Sequence, residues 1–439
     1  MNYHDYGTMH DGELGAIAMG IDCDARAGCA GSRAKGPTVD TDGDIYSHFH
    51  PYYAELCALS EIRKKPGFGV PLRSGIGGHS VLYLNGVRRD REAGYPTLKV
   101  CNPDASPERH GVGISVNSHY KNANWIAVEG RDFVWHGALA PGEHLTTDAY
   151  ARTQQCAKTL GFLDGVEFHH HLFADKPKGM TVRDYMYELS VASDYAVCFG
   201  RNVYRARVPL DHHQMTSIVG FLNDLNAPFR AGRRVFRWQV LNNNCSHVAH
   251  NALAAAGIWA SWPTGQFFAL AAFKFPVPKN EFVDLVLRVN DLPIEDPDAL
   301  YRDEIARNML LRNDMLPTAP GALAIATPVV RNNDIYVTER LRLIFYDNPF
   351  WGPYRQRFLR IFSDPRYMDL RANLEHFAQV YARALTRRRH ALMAKPSDTR
   401  ARSPEYARFY AAYDDYIARA LAGVIGRLAR FDSKNEVIP

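Results

Sequence analysis

The run LNNNCSHVAHNALAAAGIW, residues 241–259, decides how the rest of the chain is read. From Cys245, helical spacing picks out Val248, Ala249, Ala252, Leu253 and Ala256, all small or apolar, so the thiol heads a stripe built for burial. The asparagines before it suit a helix start, because their side chains cap orphan N–H groups, and Gly257 suits the end. The positive end of a helix dipole favours thiolate and hence nucleophilicity. A cysteine on a buried stripe is otherwise inert, so the rest of the sequence must supply a partner base.

The chain has 439 residues, enough for more than one core and most simply two domains. With 46% apolar and 23% charged residues it is not globally disordered. A net charge of +5 permits contact with acidic surfaces without requiring nucleic acid. Seven cysteines, odd in number and without a CxxC pair, argue against a disulfide framework and for a reducing compartment. The N-terminus carries acids and histidines where a secretory signal would place basic and then apolar residues. Asn251–Phe273 is uncharged and long enough to span a bilayer, but Pro263, Thr264, Gly265 and Gln266 interrupt it. It reads as a buried helix, a turn and a second apolar helix. The expectation is a cytoplasmic protein, specialised secretion routes aside.

Residues 1–45 read as an irregular arm. Helical spacing in 51–64 marks Tyr53, Leu56, Cys57, Leu59 and Ile62 as core positions. HSVLYLN, residues 79–85, alternates and runs into Asn85-Gly86, a hairpin signal with 95–100 as the return strand. Short β-favouring runs follow at 112–116, 125–128 and 132–135. Helices are expected over 147–163, 181–192 and 212–225, a strand pair over 195–210, and a short strand over 236–241 leading into Cys245. FPVPK, residues 275–279, marks a boundary. Beyond it, arginine-rich helices are expected over 299–316, 339–345, 353–361, 371–393 and 404–431. The expected units are thus the arm, a catalytic domain over 46–275 with helical insertions, and a mainly helical C-terminal domain over 276–439.

A cysteine nucleophile needs a histidine within hydrogen-bond reach and a polar group to orient it. Of 18 histidines, His79 has the context. It follows Gly75-Ile76-Gly77-Gly78, where backbones can approach closely, and it opens a strand. GGHSVLYLNG at 77–86, followed by NNNCSHVAHNAL at 242–253, resembles the circularly permuted branch of the papain-like cysteine peptidase and acyltransferase superfamily. That branch includes NlpC-like and lecithin:retinol acyltransferase-like proteins. The resemblance covers roughly residues 67–259. It implies an α+β fold, an antiparallel sheet packed on the Cys-bearing helix, joined here to a helical C-terminal region. The implied activity is a cysteine hydrolase or acyltransferase acting on an amide, ester or thioester through an acyl-enzyme. Carried over, Cys245 is the nucleophile and His79 the general base. The orienting residue is Asp104, Glu129 or Asp132, with Asp132 preferred because Arg131-Asp132-Phe133 starts an expected strand. The Cys245 N–H, with the Asn244 side chain, would stabilise the oxyanion. The gap between His79 and Cys245 is long for this superfamily, so insertions such as 147–192 are expected to serve as a lid or platform.

His119, Lys121, Asn124 and Trp125, in SVNSHYKNANW, are candidates for substrate contact, against the alternative of a surface loop anchored by a buried Trp125. Cys245, His247 and His250 offer zinc chemistry but diverge around a helix, and His169-His170-His171 cannot all face one ion, so no metal is assigned. No phosphate-binding glycine motif follows a strand, and no cofactor or nucleic-acid partner is expected. Expected partners are an acyl, amide or peptide substrate and, for the arginine-rich helices, an acidic or membrane surface. The rival readings are a non-enzymatic papain-like scaffold that binds through its C-terminal helices, or a Cys/His zinc-binding protein.

Overall fold

His79–Asn85 folds as a strand, and its neighbours decide where the candidate site lies. A computed structural model describes residues 6–10, 46–70, 78–93, 95–239, 243–262, 277–339, 341–347, 352–393 and 403–435. The strands are β1 (Tyr6–His10), β2 (Tyr53–Leu59), β3 (His79–Asn85), β4 (Val87–Arg89), β5 (Leu98–Val100), β6 (Gly111–Ser115), β7 (Ile126–Glu129), β8 (Val203–Pro209), β9 (Leu323–Thr327) and β10 (Arg342–Tyr346). Six of them form one antiparallel sheet in the order β7-β6-β3-β2-β8-β9, while β1 pairs with β10 and β4 with β5. The helices are α1 (Arg131–His136), α2 (Thr147–Leu160), α3 (Val182–Ser190), α4 (His212–Arg230), α5 (Cys245–Ala255), α6 (Pro278–Asn290), α7 (Pro297–Arg302), α8 (Glu304–Asn313), α9 (Tyr354–Ile361), α10 (Leu370–Met393) and α11 (Pro404–Asn435). The fold is mixed α+β.

Several expectations are corrected. The stretch 51–64 contains β2 rather than a helix. All seven β2 residues are buried, and a central strand covered on both faces is apolar at almost every position, which periodicity cannot separate from a helix. Gly86 turns the chain at φ +81°, but β3 does not fold back on itself: Val87 opens β4, which pairs with β5, and β3 lies between β2 and β6. Residues 132–135 belong to α1, and 339–345 contain part of β10. Of the expected strand pair only β8 forms, because Val197–Phe199 is a 3₁₀ turn. Residues 11–45 and 263–276, with most of the arm and the second apolar helix, lie outside the described residues, and the strand expected over 236–241 lies only partly within them.

The break near residue 276 is not a break in the core. β9 completes one edge of the sheet, and α6 packs on β2 and β8 through residues such as Phe282, Leu285 and Val286. A second cluster does form further on, where Leu374, Phe377 and Tyr381 of α10 meet Phe409, Tyr413 and Ile417 of α11. Several of its arginines are engaged internally: Arg383 and Arg387 with Glu295, and Arg371 with Glu375 and Asp432. No helix among the described residues is long and apolar enough to cross a membrane.

The sheet carries an unexpected buried ion cluster. Glu55 on β2 faces Arg207 in the ladder, and its carboxylate accepts from Arg207 Nε at 2.5 Å and from Arg205 Nη1 at 3.2 Å. Arg207 also stacks over Tyr46 and Tyr53, and Arg205 over Trp135. Burial alone would push the Glu55 carboxyl up, but Arg205, Arg207 and Arg131 together hold it down at about 2.

Candidate active site

Asn244 has extended backbone and caps α5, its side-chain oxygen accepting from the His247 N–H at 3.1 Å. The first N–H groups of the helix have no partner within it. Those of Cys245 and Ser246, with the N–H of Ser80 on β3, act in favour of the charged form of the Cys245 thiol. The Ser80 and Ser246 hydroxyls meet at 3.3 Å. The thiol therefore sits beside the residue that follows His79 in the chain. This brings the two central candidates to the same end of β3.

Cys245 is 8% exposed, and every residue from Cys245 to Leu253 is buried. Burial pushes its thiol above the usual range; the three N–H groups and the Lys279 ammonium pull it down by less. The helix-dipole argument for a resting thiolate is thus outweighed by desolvation. The same happens at His79, whose imidazole is held down at about 3 by burial, with Arg201, Lys279 and His119 adding to the effect and the Ser193 carbonyl opposing it. The resting pair is neutral thiol and neutral imidazole.

The ring is oriented by a chain that sequence reasoning missed. Ser115 Oγ donates to Asp194 Oδ1 at 2.6 Å, and His79 Nε2 lies 3.2 Å from Ser115 Oγ. With its proton committed to the carboxylate, the Ser115 oxygen can only accept, so Nε2 carries the ring proton and Nδ1 the lone pair. Asp194 is fully buried.

Asp132 does not take part in this chain. Glu129 sits opposite Val112, and Val112 opposite Leu84, five residues and roughly 17 Å along β3 from His79. Asp132 lies beyond Glu129, exposed in the first turn of α1. Glu129 itself is engaged by Arg91 and by the Arg89 N–H, and Asp104 is exposed in a 3₁₀ turn after β5. All three belong to the far end of the sheet. The signal that could have found Asp194 is an acid inside the apolar run SVASDYAVCF.

Among the four substrate candidates, only His119 approaches the site. It stacks on Phe168 and acts electrostatically on His79, and burial holds its own imidazole down. Lys121 pairs with Glu167 at the surface at 2.8 Å. Trp125 is buried, donating from Nε1 to the Leu222 carbonyl at 2.7 Å, and the Asn124 N–H donates to Asn226 Oδ1 at 2.8 Å. These two hold β7 against α4. Asn124 Nδ2 also donates to Asn243 Oδ1 at 3.2 Å, steadying the approach to Cys245 from behind. Because the Asn244 oxygen is used as a cap, any contribution of Asn244 to an oxyanion would have to come from its amide nitrogen.

The histidines after Cys245 have structural partners. His247 Nδ1 lies 3.1 Å from Asn244 Oδ1, while His250 is sandwiched between Trp259 and Trp262 with Nδ1 2.8 Å from Glu281. Among the described residues no three His, Cys, Asp or Glu side chains converge as metal ligands. A cavity of about 210 Å³, lined by Gln214, Ala254, Trp259, Met309 and Arg312 among others, opens at the opposite end of α5 from Cys245. Compared with known proteins, the chain matches no family model, no curated protein and no solved structure.

Proposed function

We propose that the protein is a cysteine-dependent hydrolase or acyltransferase with a permuted papain-like core. One observation carries the reading: the helix start that bears Cys245 meets the His79 end of β3, where the Ser80 and Ser246 hydroxyls touch, and the His79 ring is tied to a buried Ser115–Asp194 pair. In the scheme, His79 Nδ1 takes the Cys245 proton as the sulfur attacks an acyl carbon of an amide, ester or thioester. The N–H groups of Cys245 and Ser80 are the donors for the developing oxyanion. The His79 imidazolium returns its proton to the leaving group, and the ring then deprotonates water or an acceptor amine or hydroxyl that resolves the acyl-enzyme. No cofactor enters these steps.

Peptide mapping after iodoacetamide treatment at neutral pH tests the reading. Although the resting thiol is neutral, transfer of its proton to His79 during attack is expected to make Cys245 label faster than the other six cysteines, and His79→Ala to remove that advantage. If Cys245 labels no faster than the rest, a non-enzymatic scaffold is the better account.

A further inference from the structure

Arg201 is a buried charge that the acyl-transfer scheme leaves unused. It is 5% exposed and sits just ahead of β8. The adjoining Asn202 fixes it from two sides: its N–H donates to Ser60 Oγ and its carbonyl accepts from the Ser60 N–H, both at 3.1 Å, while Asn202 Oδ1 accepts from the Val329 N–H at 2.8 Å. Ser60 follows Leu59, the residue opposite His79 in the ladder, so Arg201 enters at the His79 end of the sheet. Its guanidinium acts electrostatically on Cys245, Asp194 and Tyr336, and on His79. Yet Nε and Nη1 are buried without a hydrogen-bond partner, and no carboxylate lies within ion-pairing distance among the described residues.

A guanidinium taken out of water without an acceptor is strongly unfavourable unless something supplies one. Arginine is suited to the oxygens of carboxylates and phosphates. Lys279 adds to the positive wall: it is fully buried, and its ammonium lies so near Gly78 that a Cβ there would meet Nζ at 2.0 Å.

We propose that Arg201 receives an anionic group of the substrate, a carboxylate or phosphate oxygen near the scissile acyl carbon. The enzyme would then act on negatively charged acyl donors. This proposal rests on the acyl-transfer reading above.

Iodoacetate and iodoacetamide test it on the full chain. In both, the sulfur displaces iodide from the same carbon, and the neighbouring group is a carboxylate in one and a neutral carboxamide in the other. Cys245 is expected to react at least tenfold faster with iodoacetate, while the half-buried Cys156 on α2 serves as the internal reference. Arg201→Gln should bring the Cys245 ratio down to that of Cys156. The ratio is the readout, because losing a nearby cation slows both reactions by raising the thiol. Acetate and inorganic phosphate, as competitors on the wild-type chain, report which oxyanion is preferred, and they carry the test should Arg201→Gln fail to fold. A wild-type ratio equal to that of Cys156, or a high ratio that survives Arg201→Gln, overturns the proposal. The acyl-transfer reading then still stands if Cys245 outpaces Cys156 with iodoacetamide. A Cys245 inert to both reagents overturns both.

Discussion

Ser80 and Ser246 face each other hydroxyl to hydroxyl at 3.3 Å, where β3 meets α5. Each follows a central residue of the candidate site, Ser80 after His79 and Ser246 after Cys245. A strand and a helix distant in sequence are thereby held in one register, and the chemistry proposed for the thiol depends on that register.

The orienting chain separates two carboxylates cleanly. Ser115→Ala removes the link between His79 and Asp194 and should slow acylation of Cys245 about fivefold, the value of one net hydrogen bond of about 1 kcal/mol. Asp132→Ala, at the exposed far end, should leave both acylation and stability within about 0.5 kcal/mol of the wild type. Single-turnover acylation rates check both. A slow Asp132→Ala beside a fast Ser115→Ala would reverse the assignment.

Glu55 balances Arg205 and Arg207 inside the sheet. Glu55→Gln leaves two buried guanidiniums uncompensated, and a loss of about 3–5 kcal/mol in unfolding free energy is expected. Urea denaturation measures it as a fall in midpoint at unchanged slope. A loss below about 1 kcal/mol would mean that the arginines find other acceptors.

Stability should fall on acidification. His79 and His50 are held at about 3 in the folded chain, chiefly by burial, against about 6.5 unfolded. Glu55 is held at about 2 against its ordinary 4.5. In each case the unfolded chain binds more protons, so stability present at neutral pH is lost as pH drops from about 6.5 towards 3 for the histidines, and from about 4.5 towards 2 for Glu55. Asp284, pushed up to about 7 by burial and by Glu281, acts the other way, losing stability as pH rises from about 4 to 7. Between pH 7 and 4.5 the two histidines act against Asp284 alone, so the urea midpoint should be lower at pH 4.5 than at pH 7. Equal midpoints would show that the histidines accept protons without unfolding.

The parts legible in the sequence are those that one element settles alone. The alternating run from His79 and the apolar stripe after Cys245 fold as their spacing indicates, and Asn244 caps its helix as its residue type suggests. What failed depends on partners far away. β2 looks helical because both of its faces are covered by other segments, and Asp132 looked well placed only while residues 132–135 were expected to form a strand, where the chain in fact makes α1. The Ser115–Asp194 chain joins two residues 79 positions apart, and only the sheet order brings them together. The thiol was read by its helix dipole, and the burial that overrides the dipole is a property of the whole core.

The most direct measurement is the pre-steady-state reaction with p-nitrophenyl acetate, followed by intact mass and by pH. The expected result is a burst of one equivalent of nitrophenolate with one acetyl group on Cys245, abolished in Cys245→Ala and slowed about 10²–10⁴-fold in His79→Ala. Because the His79 imidazole is held at about 3, the acid limb of the burst rate should lie below pH 5 rather than near 6.5. A burst that survives Cys245→Ala, or a rate indifferent to His79→Ala, would contradict the assignment of Cys245 and His79 as nucleophile and base.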